Sequence, residues 1–247
     1  MKPYFLIALI LLSCQAKSQK TENKIAVAAS HFLESLDKSQ IKKATYPFED
    51  SERFNWHFVP RSRNGVPLKE MNETQKKAAY DLLKTTLNEQ GYEKAIAIIQ
   101  MEIILRELEG RGENDPYRDP VNYYFTIFGK PDDKETWGWR IEGHHLALNF
   151  SSLTGKIASA TPTFWGSNPG IVPNGKEKGK QILKKEVDLA FKLLHSLSED
   201  QKKKAIFAED APLMIYLQGI SEKPLCSNPR GLFLEKWIKN NRKFYSA

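Results

Sequence analysis

Between Asn122 and Asn168 three strand-like runs follow one another with no room for a helix between them: Tyr123 to Phe128, Trp137 to Phe150 and Lys156 to Phe164. The first gap holds Lys130-Pro131-Asp132-Asp133 and the second spans Ser152 to Gly155, both hairpin-like in length and chemistry. Parallel neighbours need a crossover of a dozen or more residues, so a doubly wound parallel sheet is disfavoured. The chain is expected to be α+β, an antiparallel β-meander (about 122–164) packed against helices.

The helices are legible on either side. An amphipathic run from Glu22 to Asp37 carries Ile25, Ala28, Ala29, Phe32, Leu33 and Leu36 at helical spacing. Asn72 followed by Gln75 has the spacing of a capping box, and Gly91 is placed to end the helix it starts. A second helix, Tyr92 to Glu109, is apolar on nearly every face from Ala95 to Leu105, as a central buried helix would be. Phe54 to Pro60 alternates and is expected to form a strand, followed by a loop over Arg61 to Leu68. Glu113 to Pro120 reads as a turn-rich loop, and a Gly/Pro loop over Asn168 to Lys178 leads to a helix from Lys180 to Leu197.

The N-terminus reads as a targeting segment. Lys2 precedes an apolar run from Tyr4 to Leu12 that is too short to span a bilayer. The run ends in Leu11-Leu12-Ser13-Cys14, which resembles a bacterial lipobox; Cys14 would then be lipidated. The alternative is ordinary cleavage after Ala16-Lys17-Ser18. With Cys226 the only other cysteine, a disulfide framework is excluded. The net charge of +7 comes from scattered lysines, with no basic block interleaved with aromatics. The expectation is an exported protein, lipid-anchored in the envelope or periplasm, or else secreted after cleavage. It would touch a membrane only through its anchor and would not bind nucleic acid.

Ser35 to Tyr46 recurs as Ser196 to Phe207, each copy after an amphipathic helix and before Glu-Asp. The alternative to chance is a duplicated unit of roughly 160 residues whose second copy has barely begun. With one choice of synonymous codons, a one-base shift near Trp237 yields a peptide that echoes Met71 to Lys77. The expected organisation is a signal segment (1–18), an α+β unit (22–184), the start of a second, incomplete repeat (185–212) and an out-of-frame tail (213–247).

Aromatic, imidazole and carboxylate groups crowd the meander. If Trp137 to Phe150 is one strand, Arg140, Glu142 and His144 share a face, while Trp137, Trp139, His145 and Asn149 share the other. Glu142, His144 and His145 are then the candidate catalytic residues, with Glu142 orienting His144 as a general base. Glu142 and His144 with His57 could instead hold a divalent metal. The competing structural reading pairs Arg140 with Glu142 beside a histidine that bonds buried backbone. A second class of function uses Trp137, Trp139 and Trp165, helped by Arg140, Asn149 and Asn168, to bind a small molecule, glycan or peptide without catalysis. The Asn114 to Asp119 loop either closes over such a site or braces it.

Several motifs occur in an order that resembles a known family. They are His57 to Arg61, Gly65 to Leu68, Met71-Asn72 with Gln75, Leu105 to Gly110, Asn114 to Tyr117, Trp139 to Leu146 and Thr161 to Gly166. Over roughly Ile25 to Pro212 the chain resembles the bacterial and fungal family called domain of unknown function 3500. Members are typically longer at the C-terminus. The resemblance implies no particular activity.

Overall fold

The computed structural model describes residues 24–132 and 134–206. Cys14 with the signal segment, and the tail at 213–247, lie outside the described residues. Two helices, α1 (Lys24–Ser35) and α2 (Lys38–Ala44), lead into a short strand β1 (Thr45–Tyr46). After an irregular stretch come β2 (Val66–Pro67), α3 (Glu73–Thr86) and α4 (Glu89–Leu108). The meander follows as β3 (Tyr124–Phe128), β4 (Trp137–Gly143), β5 (Leu146–Leu153), β6 (Lys156–Ser159) and β7 (Thr163–Trp165), then α5 (Lys184–His195) and α6 (Glu199–Ala205).

The sheet order is β1-β3-β4-β5-β6, with β2 also on β3 and β7 also on β5. All pairings are antiparallel except β1 on β3. The α+β expectation therefore holds, and the meander extends further than its three expected strands. Lys156 to Phe164 is two strands, both hydrogen-bonded to β5.

Trp137 to Phe150 is not a single strand: Gly143 pairs with Leu146, so His144 and His145 form a two-residue hairpin turn. His145 adopts φ 60, the left-handed conformation a tight turn demands and one that histidine tolerates better than most residues. The reversal reassigns the faces. Asn149 sits opposite Arg140 and Ala147 opposite Glu142, while Leu148 and Phe150 join Ile141 and Trp139.

That second face is the core. Phe125, Ile127, Trp137, Trp139, Ile141, Leu146, Leu148 and Phe150 pack with Phe32 of α1, Leu82 and Leu83 of α3, and Ala95, Ile98 and Ile99 of α4. Trp139 stacks on Phe150 with ring centroids 4.8 Å apart, and Phe125 lies 5.7 Å from Phe32, tying sheet to helix. Burying each such ring contributes about 2–3 kcal/mol.

The expected capping box is present: Asn72 accepts from the Gln75 N–H at 3.0 Å while the Gln75 side chain accepts from Asn72 at 2.9 Å. Gly91 does not end α3, however. The break falls at Leu87, because Asn88 caps α4 by accepting from the Gly91 N–H at 2.8 Å. Phe54 to Pro60 is likewise not a strand; Ser51–Phe54 is a 3-10 turn and the rest is irregular. Its backbone groups are taken by Glu142, the His145 N–H and the Arg63 guanidinium rather than by a ladder.

The two helix pairs are built alike. Each has a 12-residue helix and then a 7-residue helix with a full capping box, Asp37 with Gln40 and Ser198 with Gln201. Their surroundings differ: Ala26, Ala29 and Phe32 of α1 are buried, whereas Val187 and Leu193 of α5 are each 46% exposed.

Candidate functional site

The hairpin turn brings His144 to the C-terminal half of α4, at Glu102. Glu102 is the one charged residue in the apolar stretch Ala95 to Leu105, and it is 4% exposed. A carboxylate is rarely so buried without a partner. Its partner is His144, whose Nδ1 is in close hydrogen-bond contact with Glu102 Oε1. The Arg118 guanidinium approaches the same nitrogen at 3.3 Å. One nitrogen cannot both donate to the carboxylate and accept from arginine; the carboxylate, much the closer, holds the proton of Nδ1. Among the described residues Nε2 has no protein hydrogen-bond partner.

Neighbouring groups fix this pair. Arg118 is gripped by Glu109, at 2.6 to 3.1 Å, and that arginine holds the Glu109 carboxyl down at about 2. The Tyr123 hydroxyl donates to the His144 carbonyl at 2.7 Å. The His145 N–H donates to the Phe58 carbonyl at 2.8 Å, and the His145 carbonyl accepts from Gly166 at 2.7 Å. Both backbone groups of the strained residue are thus satisfied. Its ring lies 3.9 Å from that of His144, and burial, with His144 and Arg118 nearby, pushes its pKa down to about 4.

Residues 57–64 form a strap across the hairpin's end, and a chain of buried charges holds it. Arg140 donates to Glu52 Oε1 at 2.7 Å and its Nε lies 2.7 Å from Glu142 Oε1, an ion pair without hydrogen-bond alignment. Glu142 Oε2 accepts from Arg63 at 3.2 Å and from the His57 backbone N–H at 2.9 Å. Arg63 then donates to the carbonyls of His57, Val59, Arg61 and Gly143. Burial raises the Glu142 carboxyl and lowers Arg63, each opposed by its partners. Two carboxylates alternate with two guanidiniums, so each buried charge faces an opposite one.

Strap, α4, turn and the 116–122 loop enclose a cleft of about 280 Å³, lined among others by Arg61, Arg63, Lys69, Glu102, Tyr123 and His144.

The expected residues distribute as follows. His144 lines the cleft, and His145 is beside it at the turn. Glu142 is fully buried and is not among the lining residues; Arg140 neutralises it, as the structural reading of that pair anticipated. His57 meets Glu142 through its backbone, while its ring contacts Arg61 and Asn55. Glu142, His144 and His57 therefore do not converge as a ligand set. Among the described residues no three His, Cys, Asp or Glu side chains form a group that could hold a metal ion. Trp137 and Trp139 are 0% and 2% exposed, so neither offers a face to a sugar or peptide. Trp165 is half-buried on β7, Asn149 donates to the Pro162 carbonyl at 2.8 Å, and Asn168 is exposed in the loop beyond. The 114–119 loop braces: Asp115 accepts from the Tyr117 and Arg118 N–H groups.

Glu102, Glu109, Glu52, Arg63 and Tyr123 were not foreseen as partners, whereas Arg118 belongs to the 114–119 loop expected to close over or brace the site. Glu102 had a signal, the one charged residue in the largely apolar stretch Ala95 to Leu105. The others sit in segments whose composition is ordinary.

A model of the family described as "Protein of unknown function (DUF3500)" matches residues 18–243, a span that includes most of the 213–247 stretch. No curated protein and no solved structure matches the chain.

Proposed function

The chain belongs to the DUF3500 family of proteins of unknown function, and from that premise we propose that it acts on a small molecule held in the cleft beside His144. The carrying observation is the Glu102–His144 contact through Nδ1 at the wall of that cleft. A carboxylate on one imidazole nitrogen fixes the tautomer, directs the other nitrogen outward and stabilises the imidazolium once formed. His144 Nε2 would remove a proton from a bound hydroxyl or water and return it to the departing group. Glu142, joined to Arg63 and Arg140, positions the strap rather than taking part in proton transfer. His145, held neutral by burial, supports the turn.

The N-terminal sequence supports export with lipid attachment at Cys14, and the matching helix pairs α1–α2 and α5–α6 support a duplicated unit. A glycan-binding module using Trp137 and Trp139 is not supported, because both are core residues.

The test is turnover of a panel of chromogenic esters and phosphate and sulfate esters by the purified protein. His144→Ala should lower any turnover by about 10²–10⁴-fold, with circular dichroism unchanged. Equal turnover by the variant would defeat the reading.

A further inference from the structure

The cationic side of the cleft goes beyond the proton-transfer pair and, resting on the reading above, concerns what the pair acts on. We infer that the ligand is an anion, carrying a carboxylate or a phosphoryl or sulfuryl group, and that Arg61 and Lys69 receive it.

Five charged side chains line the cleft: Arg61, Arg63, Lys69, Glu102 and Asp119. Three of them are engaged elsewhere. Glu102 is on His144. Arg63 has its donors on Glu142 and on four carbonyls. Asp119 accepts from the Val121 N–H at 3.0 Å.

Arg61 and Lys69 differ. Both are exposed, and among the described residues neither pairs with a carboxylate. Arg61 reaches the Ser62 carbonyl and the His57 ring at 3.0 Å, and burial together with the arginine's charge lowers that ring's pKa. A cation resting on a neutral imidazole and a carbonyl keeps donors for an incoming anion, since guanidinium carries five. Lys43 with Glu70 and Lys77 with Asp81 are exposed lysines whose charge an acidic partner already answers, which is not so at Lys69. Tyr117 and Tyr124 also line the cleft, and their hydroxyls make no hydrogen bond among the described residues, so they supply further donors. Arg63, fixed within the strap and paired with Glu142, is not free to move to the ligand. An anion seated on Arg61 and Lys69 would place the rest of a small molecule toward His144.

The experiment is titration of the purified protein with inorganic phosphate, with acetate and with neutral acetamide. Calorimetric Kd is followed in wild type, His144→Asn and the double variant Arg61→Gln/Lys69→Gln, and the His144 imidazole resonances in wild type and the double variant. Phosphate or acetate should bind and shift His144, acetamide should not, and the double variant should weaken the anion by about tenfold or more. His144→Asn should bind the anion about as well as wild type. Preference for phosphate would assign the phosphoryl or sulfuryl source, and preference for acetate the carboxylate. Equal binding of acetamide, or unchanged affinity in the double variant, overturns the inference. That failure is separate from loss of the proton-transfer reading, which is decided by His144→Ala turnover alone.

Discussion

The ring of Tyr123 lies against Gly143 so closely that a Cβ on that glycine would come within 2.3 Å of ring Cδ1. The same tyrosine donates its hydroxyl to the His144 carbonyl at 2.7 Å. The hairpin turn is therefore placed by a side chain that requires glycine beneath it, and the turn in turn places the imidazole.

Gly143→Ala should displace the Tyr123 ring, lose its hydroxyl bond and cost about 1–3 kcal/mol. Urea denaturation measures the cost, and the His144 ring resonances report the displacement. An alanine variant with wild-type stability and unmoved His144 signals would refute this coupling.

Removing Glu142 leaves Arg63 facing no carboxylate and deprives Arg140 of one of two. Glu142→Ala should cost about 3–5 kcal/mol, and Glu142→Gln less, because the amide oxygen can still accept from His57 N–H. Burial raises the Glu142 pKa in the fold. The folded chain then keeps a proton that the unfolded chain has already lost. The carboxyl's contribution is full below the ordinary carboxylate range and is lost as pH rises through the raised value. Comparing the urea midpoint against pH for wild type and Glu142→Gln should show that slope only in the former.

His145 gives the opposite sign. Its folded pKa is about 4 against an ordinary 6.5. Between those values the unfolded chain binds the proton and the folded chain does not, so stability falls as pH drops through that window. Allowing for partial exposure, the effect is on the order of 2 kcal/mol. His145→Asn, which tolerates the positive φ, should abolish it. An NMR titration that finds the His145 ring protonating near its ordinary value would contradict the assignment.

The two similar helix pairs should respond differently to truncation. Phe32→Ala, in the core, is expected to cost about 3–5 kcal/mol, whereas Leu193→Ala on exposed α5 should stay within about 0.5 kcal/mol. A large loss at Leu193 in thermal denaturation would show that α5 is covered in solution.

By itself the sequence determined the local structure. Short connections forced an antiparallel meander, Asn72 and Gln75 fixed a helix start, and the apolar run Ala95 to Leu105 marked the buried helix. These features depend on contacts within a few residues, which is why they are legible in order along the chain. It also marked the Arg140–Glu142 pair, since residues two apart on a strand must share a face. What it did not determine was where the strand stops. Gly143-His144-His145-Leu146 reads equally well as strand or turn, and the choice is made by distant groups: the Phe58 carbonyl, the Gly166 N–H and the Tyr123 hydroxyl that bind the turn's backbone. Only the tertiary structure decided that Glu102, more than forty residues away in sequence, meets His144, and that Glu142 turns to Arg63. Partnership between buried charges is set by which backbone segments packing brings within a few ångströms. No local pattern carries that information.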